Sequence, residues 1–154
     1  LSADYSGIKN LALAGGLRWD FLGMKALPGN TPPVEKRSYS TWTGFLGGSF
    51  KVTDEVVAFV NLSRAYRAAR LSELFYTGIS EQGFIIAQPG LNPETSMNLD
   101  AGLKLIFKRF FAGFYAFYYE IDDLIERELL DPQQRIYTYQ NIDKGKISGY
   151  ELEL

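Results

Sequence analysis

Asp122 stands beside Asp123, and Glu151 lies two residues before Glu153. Paired carboxyl groups at a suitable separation hydrolyse glycosidic bonds, one as acid and the other as base or nucleophile. On an extended chain, however, neighbours point to opposite faces, which separates Asp122 from Asp123. Glu151 and Glu153 share a face that also carries Gly149, so they read as a solvated pair on a polar strand, and no catalytic residue is assigned. A carbohydrate-active β-enzyme built on these pairs stays open as an alternative.

Other chemistries lose their reagents. The chain has no His and no Cys, which removes Ser-His-Asp and Cys-His catalysis, thiolate metal sites and disulfides. No metal ligand set and no cofactor is expected. Gly15-Gly16 and Gly47-Gly48 do not lead into helices, so neither forms a phosphate-binding loop. Asn61-Leu62-Ser63 has the form of a glycosylation sequon but falls within a strand, and it is discounted.

The elements that would position such groups repeat with period 2. In LALAGGLRWDFL, Leu11, Leu13, Leu17, Trp19 and Phe21 oppose Ala12, Ala14, Gly16, Arg18 and Asp20. TWTGFLGGSFKV sets Trp42, Leu46, Phe50 and Val52 against Thr41, Thr43, Gly47, Ser49 and Lys51, with Phe45 as an exception. VVAFVNLSRAYR opposes Val56, Ala58, Val60, Leu62 and Tyr66 to Asn61, Ser63, Ala65 and Arg67, while Phe59 and Arg64 break the rule. In ETSMNLDAGLKL the apolar set is Met97, Leu99, Ala101, Leu103 and Leu105, against Asn98, Asp100, Gly102 and Lys104. Two further runs, FFAGFYAFYYEIDDLIE and Ile136 to Leu154, bring the total to about six strands with no convincing helix.

The connections alternate in length. KVTDE and the Lys108-Arg109 junction are tight turns, whereas Gly23 to Arg37 and Arg70 to Glu94 are long and rich in Gly, Pro and charge. Trp19, Trp42, Tyr66 and Tyr119 fall near the long-loop ends, and Phe50, Phe107 and Phe111 near the short turns. Short turns at one end, long loops at the other and an aromatic band at each edge describe a membrane barrel. The apolar faces are then expected to meet lipid and the polar faces a wet lumen.

Composition fits that reading. A hydrophobic content of 46%, with 15% aromatic residues, is too rich for a disordered chain. A net charge of −2 offers no field for nucleic acid, and nucleic acid is not expected as a partner. No run of about 18 apolar residues forms a membrane helix, a test that does not apply to strands. A soluble β-rich binding module is the competing class, because β-sandwiches also alternate.

Four pieces in order, NLSRAYRAARLSELFYTG, GLNPETSMNLDAGLK, FYAFYYEIDDLIE and YQNIDKGKISGYELEL, resemble the barrel of TonB-dependent outer-membrane receptors. The resemblance covers most of Val56 to Leu154 and implies an all-β fold: an antiparallel up-and-down transmembrane β-barrel of the 22-strand type. Residues 1–154 then form a partial TonB-dependent receptor β-barrel domain, with the plug domain absent. The family implies the outer membrane of a Gram-negative bacterium, outer-membrane lipid as surroundings, and energy from the TonB complex acting through the missing plug region. Its cargo is a scarce ligand, a ferric siderophore first and cobalamin, saccharide or haem as alternatives. Tyr66-Arg67-Ala68-Ala69 and Pro89-Gly90-Leu91-Asn92 resemble degenerate forms of two boxes that flank a ligand-handling His in haem receptors, but no His lies between them. Haem is therefore disfavoured.

Ligand capture in such a receptor uses the loops and the rim. Arg67, Arg70, Phe75, Tyr76, Phe84 and Gln88 combine cations, aromatic rings and an amide, a set suited to an anionic, partly aromatic metal chelate. Arg67 leads because its strand phase points it inward at the extracellular rim.

Overall fold

A computed structural model describes residues 2–5, 7–26 and 36–154. They form one open sheet of nine strands. Six strands are long: β2 (Leu11–Lys25), β3 (Lys36–Lys51), β4 (Val56–Arg67), β7 (Glu94–Phe107), β8 (Phe110–Asp131) and β9 (Ile136–Glu153). Three are short: β1 (Ser2–Tyr5), β5 (Gly78–Ser80) and β6 (Gly83–Ile85). The order across the sheet is β1-β2-β3-β4-β7-β8-β9-β6-β5. Neighbouring long strands pair antiparallel in chain order, as an up-and-down wall requires.

The alternation of the sequence becomes two unlike faces. Ala14, Gly47, Asn61, Asp100, Phe117 and Gly149 stand side by side across the sheet, and one residue along stand Leu13, Gly48, Val60, Ala101, Ala116 and Tyr150. On the second, outer face Leu62, Leu99, Leu103 and Leu152 are exposed, and Tyr150 keeps 79% of its surface open. So large an apolar face needs an apolar surrounding. Toward the long-loop end it turns charged: Arg64, Met97, Glu120 and Lys146 lie in one row, and Lys144 bridges Glu120 at 2.7 Å and Asp122 at 3.5 Å. On β4, β8 and β9 the outer face turns charged at this row, while on β2 and β3 it stays apolar further up through Trp19, Trp42 and Phe21.

The turns agree with their residues. Between β3 and β4 the Thr53 hydroxyl accepts from the amides of Glu55 and Val56, at 3.2 and 3.1 Å. Lys51 reaches Asp54 at 2.8 Å there and holds that carboxyl below its ordinary range. Lys108 and Arg109 alone join β7 to β8. Most of the long loop expected between Gly23 and Arg37 lies outside the described residues.

Three expectations change. Tyr119, expected in the upper aromatic band, belongs to the inner face, where its hydroxyl donates to Asp100 at 2.8 Å. Phe111 likewise faces inward, opposite Ile106, and Phe110 joins Phe107 at the lower outer edge with ring centroids 6.3 Å apart. A helix is also present, α1 (Leu71–Phe75), within the loop from Arg70 to Glu94. Five residues are too few for a helical period to show in sequence.

The inner face lays aromatic rings flat over glycines. A Cβ on Gly102 would lie 2.5 Å from the Phe114 carbonyl oxygen and 2.7 Å from the Phe59 ring, and one on Gly149 would lie 2.6 Å from the Phe117 ring. A ring can swing away, but a ladder carbonyl cannot. We expect Gly102→Ala to cost about 1–3 kcal/mol through overpacking, and Gly149→Ala clearly less. Thermal unfolding of the complete barrel in detergent checks this, and equal midpoints for the two variants would contradict it.

Candidate functional site

The site forms where β4 and β7 reach the long-loop end. Arg67 closes β4 opposite Glu94, the first residue of β7, on the inner face beyond the apolar band. Its Nε and Nη2 donate to the two Glu94 oxygens, both at 2.6 Å, and its Nη1 lies 3.3 Å from Glu73 Oε2. Glu73 stands in the first turn of α1 and accepts the Arg70 amide at 2.7 Å, which ties the helix start to the clamp. Pro93, with no N–H to lose, precedes the strand.

Glu94 also accepts the Ile125 amide at 2.8 Å. That amide follows a break in the β8–β9 ladder at Asp123, whose φ is 55°. Asn141 spans the same break: its Nδ2 donates to the carbonyls of Asp123 at 2.6 Å and Asn92 at 3.1 Å, while its Oδ1 accepts the Asn92 amide at 2.8 Å. The loop and the β8–β9 hairpin are thus fastened together.

Around these polar links the described chain keeps its hydrophobic core. Ala26, Ala69, Leu74, Phe75, Leu91 and Ile125 are buried together, with Met24 and Tyr139 packed against them. Met24, Ala26, Ala69, Ile125 and Tyr139 continue the inner phase of their strands, so the loop from Arg70 to Glu94 folds inward across the mouth. From β3, Tyr39 donates its hydroxyl to the Leu91 carbonyl at 3.0 Å, and Arg37 Nη2 reaches the Gly90 and Leu91 carbonyls, both at 3.3 Å. The β5–β6 hairpin then joins the sheet: β6 pairs parallel with β9 through Phe84↔Ile136 and Ile85↔Tyr137.

The six sequence candidates take different places. Arg67 is half-buried between two carboxylates, Phe75 keeps 3% of its surface, and Gln88 donates its backbone N–H to the Glu73 carbonyl at 2.9 Å while its side chain is exposed and its Oε1 accepts the Gly90 amide at 3.4 Å. Arg70, Tyr76 and Phe84 are exposed, and Tyr76 donates its hydroxyl to the Ile79 carbonyl at 2.7 Å. Phe84 shares the sheet face of Ile136, while Ile85 shares that of Tyr137. Sequence reasoning missed Glu73, Glu94, Arg37, Tyr39 and Asn141. Glu73 follows Arg70 by three residues but without the Ser or Thr that marks a capping box, and the others carry no local signal either.

Burial opposes ionisation of Glu94, but the Arg67 hydrogen bond, the Ile125 amide and the charges of Arg67 and Arg70 outweigh it and hold the carboxyl below its ordinary range. The Glu94 bond, against the cost of burial, holds Arg67 more firmly protonated than usual. A depressed folded-state value stabilises the loop fully above the unfolded carboxylate range, near pH 4.3 as a rough reference, and the contribution fades as pH falls through the lower folded value. We expect a spin label on exposed Glu81 to be immobile at pH 7 and to gain mobility only on acidification below about pH 4. With Glu94→Gln the label should move at either pH. A label equally still in that variant at pH 7 would show that the clamp does not hold the loop.

Among curated protein sequences none matches the chain. Of solved structures, the copper transporter OprC superposes with a TM-score of 0.82 at 20% identity, covering 98% of this chain and 24% of OprC. A ferric enterobactin receptor, PfeA from Pseudomonas aeruginosa, gives 0.72 at 22% identity, covering 98% and 23%. The hemophore receptor HasR of Serratia marcescens, in complex with its hemophore HasA and heme, gives 0.70 at 15% identity, covering 92% and 28%. The chain spans about a quarter of the length of these structures. These likenesses establish the fold, and the model of the TonB-dependent receptor-like β-barrel matches residues 1–154, so the chain belongs to that family.

Proposed function

We propose that this chain forms wall and mouth of a TonB-dependent receptor in the outer membrane of a Gram-negative bacterium, which imports a ferric siderophore. The observation that carries this reading is the loop from Arg70 to Glu94, folded inward over the inner face and presenting Arg70 and Tyr76 at its surface. Cation and aromatic ring together suit an anionic chelate. The apolar outer band meets outer-membrane lipid, and energy comes from the TonB complex through a plug region outside these 154 residues. The work is capture and passage, with no covalent chemistry.

Similar barrels are a hemophore receptor in complex with heme and a copper transporter; toward either cargo this chain of 154 residues contributes neither His nor Cys. Its two methionines, Met24 and Met97, lie on opposite faces. Cobalamin or a saccharide is the alternative cargo class, and lacks the negative charge that would draw on an arginine.

Within the site, we assign Arg70 and Tyr76 to direct contact, and Arg67, Phe75 and Gln88 to holding the loop that presents them; Phe84, on the face away from Tyr137, takes neither role. The complete receptor should fractionate with the outer membrane and bind ferric enterobactin. Recovery in buffer without detergent as a monodisperse protein would defeat the barrel reading, and binding of cobalamin or a saccharide alone would replace the cargo. Arg67→Ala should weaken binding about tenfold, equivalent to the loss of about 1.4 kcal/mol, together with a newly mobile label at Glu81. Weakened binding with the label still immobile would make Arg67 a contact residue instead.

A further inference from the structure

The arginines of the mouth are mostly engaged. Arg67 is neutralised by two carboxylates and Arg37 donates to loop carbonyls, while Arg70 is exposed at the start of the helix; Arg64, on the outer face, donates to the Trp42 carbonyl and lies 4.5 Å from that ring's centroid. Arg127 is different. Its guanidinium lies 4.5 Å from the centroid of the Tyr137 ring, and among the described residues it makes no ion pair. The residue is exposed.

Its place in the fold directs it to the mouth. Ile125 and Tyr139 face inward, since both pack in the core of the folded loop, and Arg127 stands opposite Tyr139 and two residues beyond Ile125. Tyr137, two residues from Tyr139, shares that face. β7 pairs with β8 only as far as Asp122, so from Asp123 to Asp131 the β8–β9 hairpin rises past its neighbour by roughly 25 Å. The Asp131 carboxylate closes the tip by accepting the amides of Gln133 and Gln134, at 2.7 and 3.0 Å. The paired hairpin therefore carries above the opening a guanidinium with no ion pair among the described residues.

We propose that Arg127, stacked on Tyr137, meets the anionic part of the cargo and selects a chelate whose iron-binding groups are both charged and aromatic. The guanidinium carbon sits over the Tyr137 ring, and among the described residues no carboxylate takes its N–H groups, so these stay open to oxyanions and the cation to a second ring. A ferric catecholate offers both features, and a neutral ferric hydroxamate offers neither. The inference rests on the siderophore reading and sharpens it to a ligand class and a residue.

The test measures binding of two probes to the complete receptor: ferric enterobactin, an anionic tris-catecholate, and a neutral ferric trihydroxamate. Arg127→Gln should weaken the catecholate about tenfold or more, the scale of one charge-assisted hydrogen bond, and leave the hydroxamate unchanged. Arg127→Lys should restore part of the loss, because charge returns without the planar stack, and Tyr137→Leu should fall between wild type and Arg127→Gln. Unchanged thermal unfolding and an immobile label at Glu81 in each variant exclude a folding effect. Wild-type affinity of Arg127→Gln for ferric enterobactin overturns the assignment, as does a wild-type receptor that binds only the hydroxamate, and in both cases the siderophore reading stands. A wild-type receptor that binds neither chelate overturns the siderophore reading, and the assignment falls with it.

Discussion

The described wall is one strand thick, and a single layer has no interior. In a soluble domain the apolar face of a sheet is covered by a second layer, and that contact supplies most of the stabilising burial. Here the long strands keep their apolar residues open on one side and their polar residues open on the other. The ladder joining β2 to β9 holds the strands together, and the two faces call for two solvents. Small inner-face residues follow from the same constraint. Gly102 and Gly149 let the Phe59 and Phe117 rings lie along the wall, so the aromatic area is partly covered without a second layer and without filling the lumen.

Among the described residues the core gathers at the mouth, with Leu74 and Leu91 as the largest fully buried side chains, and there the second layer is the loop from Arg70 to Glu94. A loop laid over a sheet buries backbone and charge that water would otherwise satisfy. Glu94 answers much of that cost at one point: it neutralises Arg67 and takes the Ile125 amide beyond the last β7–β8 pair, Thr95↔Asp122. Asn141 does the corresponding work for uncharged groups, pairing both polar atoms of the Asn92 backbone. Packing and polar satisfaction coincide there, which makes this loop a defined surface.

Period-2 patterning was sufficient for the wall because neighbours along a strand face different solvents. The phases of Leu99, Ala101 and Leu103 against Asn98, Asp100 and Lys104 are those found. Where both faces are aromatic the pattern carries no sign. Phe110, Phe114 and Tyr118 alternate with Tyr115, Phe117 and Tyr119, and cross-strand partners on β7 decide which set faces inward. Position along a strand likewise could not tell that Tyr119 serves Asp100 instead of a membrane edge. The mouth was less legible still. Its contacts join residues more than twenty apart, such as Arg67 with Glu94 and Asn92 with Asn141, and no local period encodes them. Phe75 reads as a loop aromatic until the fold shows it buried.

The arginines carry that lesson furthest. Strand phase correctly turns Arg67 inward at the rim, yet an inward cation is available to a ligand only to the extent that its own neighbours leave it uncompensated. Arg67 meets two carboxylates, so an incoming anion would have to displace bonds of 2.6 Å made by the part-buried Glu94 carboxylate. Arg127 meets only a ring, which attracts its charge without satisfying its donors. The first arrangement fixes a loop and the second leaves donors for whatever arrives. In a mouth lined by several arginines, the partners on the protein side therefore determine which one recognises and which one holds.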